Sequence, residues 1–432
     1  MKNVLKDLYF SGISSVEPSK LVKENIKIVF EELKKTKRKN LILFSIGKAG
    51  YKMATSAIEE LKEFIKEAVV LTKYSHFDKN YKIKNLKIFE AGHPLPDKNG
   101  FKRTKEILKI IDEEKGNSIF LIMISGGASS IFVSPKDGIT LKDKIKTTEI
   151  LLKKGADIFE LNCIRKHISK VKGGNLAKII YPAPVISFII SDVISDKLDV
   201  IGSGITYPDE TTFLDSIKVL KKYNEEKEIP ESVYNLLKKG AEGRIEENPK
   251  KNDKIFKRVK NVLIGNNKIA LEEIKKKAEK IGIISKILSN EISGEAREIG
   301  KKLAKISIEE KKKKINDKPV LLIFGGETTV NVKGGGKGGR AQELALSFAK
   351  EINGIDGIYL LSAGSDGTDG PTDAAGAIVD GNTISKGEEL GIKAEEFLNK
   401  NDSYNYFKKT NSLFVTGPTG TNVMDFYLIL IK

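Results

Sequence analysis

Ser118-Ile119-Phe120-Leu121-Ile122-Met123-Ile124-Ser125-Gly126-Gly127-Ala128-Ser129-Ser130 decides the fold. A run of apolar and β-branched residues without polar alternation is the pattern of a strand covered on both faces, as in a parallel sheet flanked by helices. It ends abruptly in small residues that permit a tight turn into a helix. The same grammar recurs along the chain. Leu41 to Ile46 runs into Gly47-Lys48-Ala49-Gly50, Val185 to Ile190 into Ser191-Asp192, and Val262 to Ile264 into Gly265-Asn266-Asn267. Val320 to Phe324 leads to Gly325-Gly326-Glu327, Ile358 to Leu361 to Ser362-Ala363-Gly364-Ser365-Asp366, and Leu413 to Val415 to Thr416-Gly417-Pro418. Buried strands separated by helical patterns make an α/β protein. Open α/β sheets bind ligands beyond the carboxyl ends of their strands, and each of these Gly, Ser and Asp clusters falls there.

The chain has 432 residues, enough for two or three domains. The pattern breaks down between about Lys238 and Lys260 into a polar, Pro-containing stretch. A boundary there gives domains of 1–245 and 246–432, with residues 1–37 reading as amphipathic helices able to pack on either. Strand-tip clusters on both sides of the boundary suggest an interdomain cleft as the site.

Hydrophobic residues make up 40% and charged residues 31%, against a usual charged share of about 25%, so a disordered chain and a membrane protein are both excluded. One Cys163 and three His leave no disulfide and no spaced zinc set, which fits a reducing, cytoplasmic setting. The net charge of +17 invites a nucleic-acid-binding reading. The Lys residues, however, fall in runs such as Lys311 to Lys314 or beside Glu at helix-surface spacing, as in Leu271 to Lys277, so that solvated faces and loops explain most of them, and no nucleic-acid motif accompanies them. That reading is the weakest of those considered.

Within the segment Gly325 to Leu344, glycines at 334, 335, 336, 338 and 339 are interleaved with Lys333, Lys337 and Arg340. Free backbone N–H groups beside cations at a helix start make an anion site suited to phosphate. Only seven of the 75 cationic residues are Arg, so Arg340 suggests a need for a planar, bidentate fork. Gly334-x-Gly336-x-x-Gly339 also fits a dinucleotide fingerprint if Thr328 to Val332 is a strand, which keeps an NAD(P)H-dependent reductase as a rival. Lys48 in its small-residue turn points to substrate. Ser125, Gly126, Gly127 and Ser129 offer donors for an anion or for helix capping. Asp192 and Asp366, nearest their strands, suit Mg²⁺ binding or proton acceptance from a hydroxyl nucleophile. Arg165-Lys166-His167 with Lys170 and Lys172 reads equally as an anion site or a basic helix face.

Taken in order, these motifs closely resemble the glycerate 2-kinase family, whose carboxyl-terminal part is the MOFRL module. The matching pieces run from Ser45-Ile46-Gly47-Lys48-Ala49 through Glu90-Ala91-Gly92-His93-Pro94, Ser125 to Ser130, Leu161 to Gly174, Ser191-Asp192-Val193 and Gly294 to Glu298. They continue through Gly325 to Leu346, Gly364 to Gly370 and Thr416 to Asn422. The resemblance implies a Rossmann-like amino-terminal domain, a second α/β domain with the module at about 318–428, and a cleft between them. It implies ATP with Mg²⁺ and phosphorylation of D-glycerate at the 2-hydroxyl, by a monomer or homodimer without nucleic-acid or membrane partners. Its functional residues match Lys48, Asp192, Glu327, Arg340, Asp366 and Asn422. Lys48, Arg340, Asp192 and Asp366 are then the expected catalytic residues, the two aspartates also as metal ligands. Ser125, Gly126, Gly127, Ser129, Glu327, Lys333, Gly336, Gly338, Gly339 and Asn422 are expected at substrate or nucleotide. Ala341 and Met424 stand where the family would suggest Asn and a polar residue. Some relatives have carried the label hydroxypyruvate reductase, which matches the rival activity.

Overall fold

The computed structural model describes residues 1–36, 38–77, 83–223, 228–313 and 318–432. It resolves into two compact units, one built from Pro18–Ile264 and the other from Met1–Glu17 with Gly265–Lys432.

The Pro18–Ile264 unit is organised by a six-stranded sheet. Its strands are β1 (Asn40–Ile46), β2 (Ile65–Lys73), β3 (Leu86–Ala91), β4 (Ser118–Ile124), β5 (Val185–Ile190) and β6 (Val259–Gly265), in the order β3-β2-β1-β4-β5-β6. The pairs linking β1 to β2, β2 to β3, β1 to β4 and β4 to β5 are all parallel. This is the doubly wound order in which the chain reverses direction beside β1. Every residue of β4 and β5 is buried, as their unbroken apolar runs require, whereas the edge strand β6 is mostly half-exposed. The helices Leu141–Lys153, Ile158–His167, Phe213–Tyr223 and Glu231–Ala241 gather around a separate apolar cluster that includes Leu151, Leu161, Phe213 and Leu237.

The other unit holds a second six-stranded sheet. Its strands are β7 (Ile284–Ile292), β8 (Val320–Gly326), β9 (Ile358–Gly364), β10 (Gly376–Asp380), β11 (Leu413–Phe414) and β12 (Asp425–Ile431), in the order β11-β10-β9-β12-β8-β7. Here the strand periodicity was informative and the pairing was not. β12 enters antiparallel between β8 and β9, so only β7 and β8 make a parallel pair. All seven residues of β12 are buried. Because β12 runs opposite to its neighbours, the ends of β8 and β9 and the beginning of β12 lie at one edge, with Asp425 in register with both Gly326 and Gly364.

The division of the chain differs from the sequence expectation at both ends. The expected boundary at 245/246 moves to Ile264 and Gly265 because β6 completes the first sheet. The expected helical stretch 1–37 divides between the units. Its first helix, Lys2–Ser15, lies against the helix Asn267–Lys280 and sends the Tyr9 hydroxyl to donate to the Gly364 carbonyl at 2.7 Å. No described helix is long and apolar enough to cross a membrane.

His167, at the end of helix Ile158–His167, is fully buried. Burial opposes its charge, but Nδ1 meets the Cys163 carbonyl at 2.8 Å and Nε2 meets Glu247 at 3.3 Å, with Asp209 behind, and its pKa rises to about 9. A raised native pKa means the stabilisation is complete below the ordinary value of 6.5 and is lost as pH climbs through about 9. Melting temperatures across roughly pH 6 to 10 are therefore expected to fall in the native protein and to fall less steeply in His167→Gln. Identical slopes would rule His167 out as the source.

Candidate active site

In the Pro18–Ile264 unit the strand order sets the place. β1 and β4 are neighbours whose following helices leave in different directions, and the turns after them interlock. The Lys48 N–H donates to the Gly126 carbonyl at 2.9 Å, the Ser125 N–H to the Ile46 carbonyl at 3.0 Å, and the Ala49 N–H to Ser125 Oγ at 3.1 Å. Ser125 thus spends its side chain on the neighbouring turn. The Asp192 carboxylate, just past β5, lies so close over Gly126 that a Cβ there would collide with it. Lys48, Gly126, Gly127 and Asp192, expected from separate motifs, are in this way brought to one crevice.

His93 joins them and had no assigned duty in the sequence. Its ring lies against Gly127. Burial first, and then the charges of Lys48, Lys73 and His76, pull its pKa down to about 4, so it is neutral above that pH. Ser129 sits one turn further, its Oγ 2.8 Å from Ser203 Oγ.

In the other unit the site is built around Arg340, the first residue of helix Arg340–Glu351. Its Nε and one Nη hold Asp425 bidentately at 2.7 and 3.0 Å, and the other Nη reaches Glu327 at 2.5 Å. The fork inferred from the rarity of Arg is real, and its partner is a carboxylate of the fold. Asp425 went unremarked in the sequence because it opens a strand 85 residues away from Arg340. Asp369 is the second residue missed. Its buried carboxylate accepts the N–H groups of Ala341 at 3.1 Å and Gln342 at 2.8 Å, at the positive end of the helix. Burial and the adjacent Asp425 carboxylate nevertheless push its pKa up to about 7.

Asp366 accepts the Thr368 N–H and hydroxyl, which folds the loop after β9. A Cβ on Gly364 would lie 3.3 Å from Asp366 and 3.5 Å from Asp425, so the bare glycine lets both carboxylates border the same strand end. Asn422 Oδ1 accepts the Met424 N–H at 3.1 Å, and Met424 is buried with a φ of +69°.

In the glycine-rich loop four N–H groups are taken up within the protein: Lys333 and Gly334 donate to Asn401 Oδ1, Gly336 to the Lys400 carbonyl and Lys337 to Asp402. Gly338 packs on Ser403 and Gly339 on Asp369. Residues 328–332 form no strand and the loop 327–339 separates β8 from the helix, so the dinucleotide fingerprint lacks its strand-to-helix context. The Lys333 side chain lines a charged cavity of about 290 Å³ with Glu295, Arg297, Lys301 and Glu395.

Residues 4–238 match the family described as Domain of unknown function (DUF4147), and residues 320–425 match the MOFRL family. A Thermotoga maritima protein named D-glycerate 2-kinase is 44% identical over 432 residues, covering all of this chain and 98% of the relative. The chain belongs to the glycerate kinase family. A second family member, named Glycerate 2-kinase, from Pyrococcus horikoshii is 42% identical over 392 residues, 90% of this chain and 87% of its own. The crystal structure of the Thermotoga maritima glycerate kinase superposes with a TM-score of 0.89 at 43% identity, covering 100% of this chain and 99% of that one.

Removing one partner of a buried ion pair leaves an uncompensated charge, at a cost of about 3–5 kcal/mol. The Asp425 side chain is 1% exposed and that of Arg340 33%, so Arg340→Met, which strands the buried carboxylate, should cost about 3 kcal/mol, the low end of that range. Urea unfolding measures it. Recovery in an Arg340→Met, Asp425→Asn double variant marks the loss as stranded charge, and a loss below about 1 kcal/mol would mean that solvent already screens the pair.

Proposed function

We propose that this chain transfers the γ-phosphoryl group of ATP to the 2-hydroxyl of D-glycerate, giving 2-phosphoglycerate and ADP. The observation that carries the reading is end-to-end similarity to a protein named D-glycerate 2-kinase, 44% identical over the full chain, with the motif residues lying at strand tips. The substrate oxygen attacks the γ-phosphorus, the bond to the bridging oxygen breaks, and the hydroxyl proton passes to a carboxylate. Such transfers are governed by positioning and by charge stabilisation around the phosphoryl oxygens.

Lys48 supplies a cation for the glycerate carboxylate or the moving phosphoryl group. Asp192, held over Gly126, or Asp366, in the loop after β9, accepts the hydroxyl proton. Arg340 presents its guanidinium in one orientation, set by Asp425 and Glu327. Asn422 orients groups from the loop before β12. Magnesium in phosphoryl transfer rides on nucleotide phosphates and needs only one or two protein carboxylates. Asp192 and Asp366, both partly exposed at strand tips, suit that mode, and no group of three or more His, Cys, Asp or Glu forms a protein-only metal cage among the described residues. When bound, the ion would neutralise phosphate charge.

Incubation with ATP, Mg²⁺ and D-glycerate, coupled to enolase without phosphoglycerate mutase, should generate phosphoenolpyruvate absorbance. ADP without phosphoenolpyruvate would move the phosphate from C2, and absence of ADP would overturn the kinase. Lys48→Met and Arg340→Lys should each lower kcat/KM by about 10² or more, since a transition-state charge contact is lost in one and a planar fork becomes a point charge in the other. A near-normal kcat/KM would remove that residue from the chemistry.

A further inference from the structure

The basic segment at 165–172 is not absorbed by the residues above, and the structure splits it in two. Lys166 reaches both Asp199 and Asp209 at 3.4 Å, and His167 has Glu247 and Asp209. These cations are matched by carboxylates. Among the described residues, Arg165, Lys172 and Lys144 have no such carboxylate.

Lys144 projects from helix Leu141–Lys153, is 3% exposed, and its Nζ has no hydrogen-bond partner. Arg165 is partly exposed and forms no ion pair among the described residues. Lys172 is fully buried, and its Nζ donates to the Ser129 carbonyl at 2.7 Å and to Ser129 Oγ at 3.1 Å. The three are close enough for their charges to oppose one another: Lys144 and Arg165 both act on Lys172, and Arg165 acts on Lys144. Burial, with Arg165 adding to it, draws the Lys144 ammonium down to about 7.

The hydrogen-bond chain in this cluster is also short of acceptors. Lys172 donates to Ser129, Ser129 Oγ meets Ser203 Oγ, and Ser203 Oγ donates to Asn162 Oδ1 at 3.0 Å. It ends on the Asn162 Nδ2 group, which is buried without a partner. Two lysines whose charged forms burial disfavours, an Arg fork and an amide donor, two of these groups unpartnered, are completed by a negatively charged ligand, which favours the ammonium forms. One carboxylate ligand carries a single charge and cannot balance them. A chain of phosphates offers several charges and oxygens, and an Arg fork beside two ammonium groups fits it. Ser129 and Arg165, the partly exposed members, provide the approach, and Ser129 follows directly from the β4 tip.

We propose that Lys144, Asn162, Arg165 and Lys172 form a polyphosphate subsite that holds the phosphate tail of the donor nucleotide. This assignment of the donor rests on the kinase reading above. The test uses the full chain, with sodium tripolyphosphate, ATP and 2-phosphoglycerate as probes in isothermal titration. Loss of one charge-assisted contact should weaken tripolyphosphate and ATP about tenfold or more in both Lys144→Met and Arg165→Gln, with KM for D-glycerate within about twofold of native. Lys144→Met should also keep or raise the melting temperature, because a buried amine without a hydrogen-bond partner is gone. If Lys144→Met does not fold, Arg165→Gln at its partly exposed position decides alone. Native affinity for both polyphosphates in the variants overturns the subsite, as does weakening confined to 2-phosphoglycerate. Arg165-dependent tripolyphosphate binding without ADP formation would keep the subsite and remove the kinase, whereas ADP formation with an unchanged KM for ATP in both variants would do the reverse.

Discussion

A single guanidinium among three carboxylates is the constraint on which the Met1–Glu17 and Gly265–Lys432 unit depends. Arg340 can satisfy Asp425 bidentately and still reach Glu327 only if β12 starts beside the ends of β8 and β9. That requirement explains why an antiparallel strand sits where an all-parallel sheet would have none. Asp369 then occupies the helix start that a bound anion would otherwise take, answering the helix N–H groups from within the protein. The cluster holds more negative than positive charge, and the rise of Asp369 toward neutral pH shows how the fold tolerates the excess.

The Pro18–Ile264 unit has the opposite imbalance. Lys48 and Asp192 stand at its strand tips, and Ser129 meets Lys172, which with Lys144 and Arg165 has no carboxylate partner among the described residues. Both imbalances occur at the places where the backbone geometry is most tightly prescribed.

Much of this was legible in the sequence, and the reasons for the rest are physical. Unbroken apolar runs located β1, β4, β5 and β8, and small residues after them located the turns, because both signals are local. Lys48, Gly126 and Asp192 could be ranked from their strand tips, although their convergence required the strand order. Asp425 was not legible: its meaning depends on a pairing with Arg340 that no nearby residue announces. The partners inside the glycine-rich loop were hidden for the same reason. The N–H groups of Lys333, Gly334 and Lys337 donate to Asn401 and Asp402, 65 to 68 residues away, and local composition cannot say whether an N–H group faces solvent or another turn. The boundary slipped because the polar stretch at 238–260 is a surface crossing before β6, not the end of the first sheet.

The interleaved order of the two units has a kinetic meaning during synthesis. Residues 18–264 form one continuous block whose sheet can close as soon as β6 has emerged. The other unit begins with the helix bearing Leu5, Leu8 and Tyr9, all fully buried in the finished fold, yet its central strand is β12, the latest of the twelve in the chain. That first apolar face must stay uncovered while nearly all the remaining chain is made, since the aromatic and strand partners of Tyr9 include Phe414 and Phe426. This helix thus precedes its partners by most of the chain, and its apolar face is open to misassembly at the ribosome until they arrive.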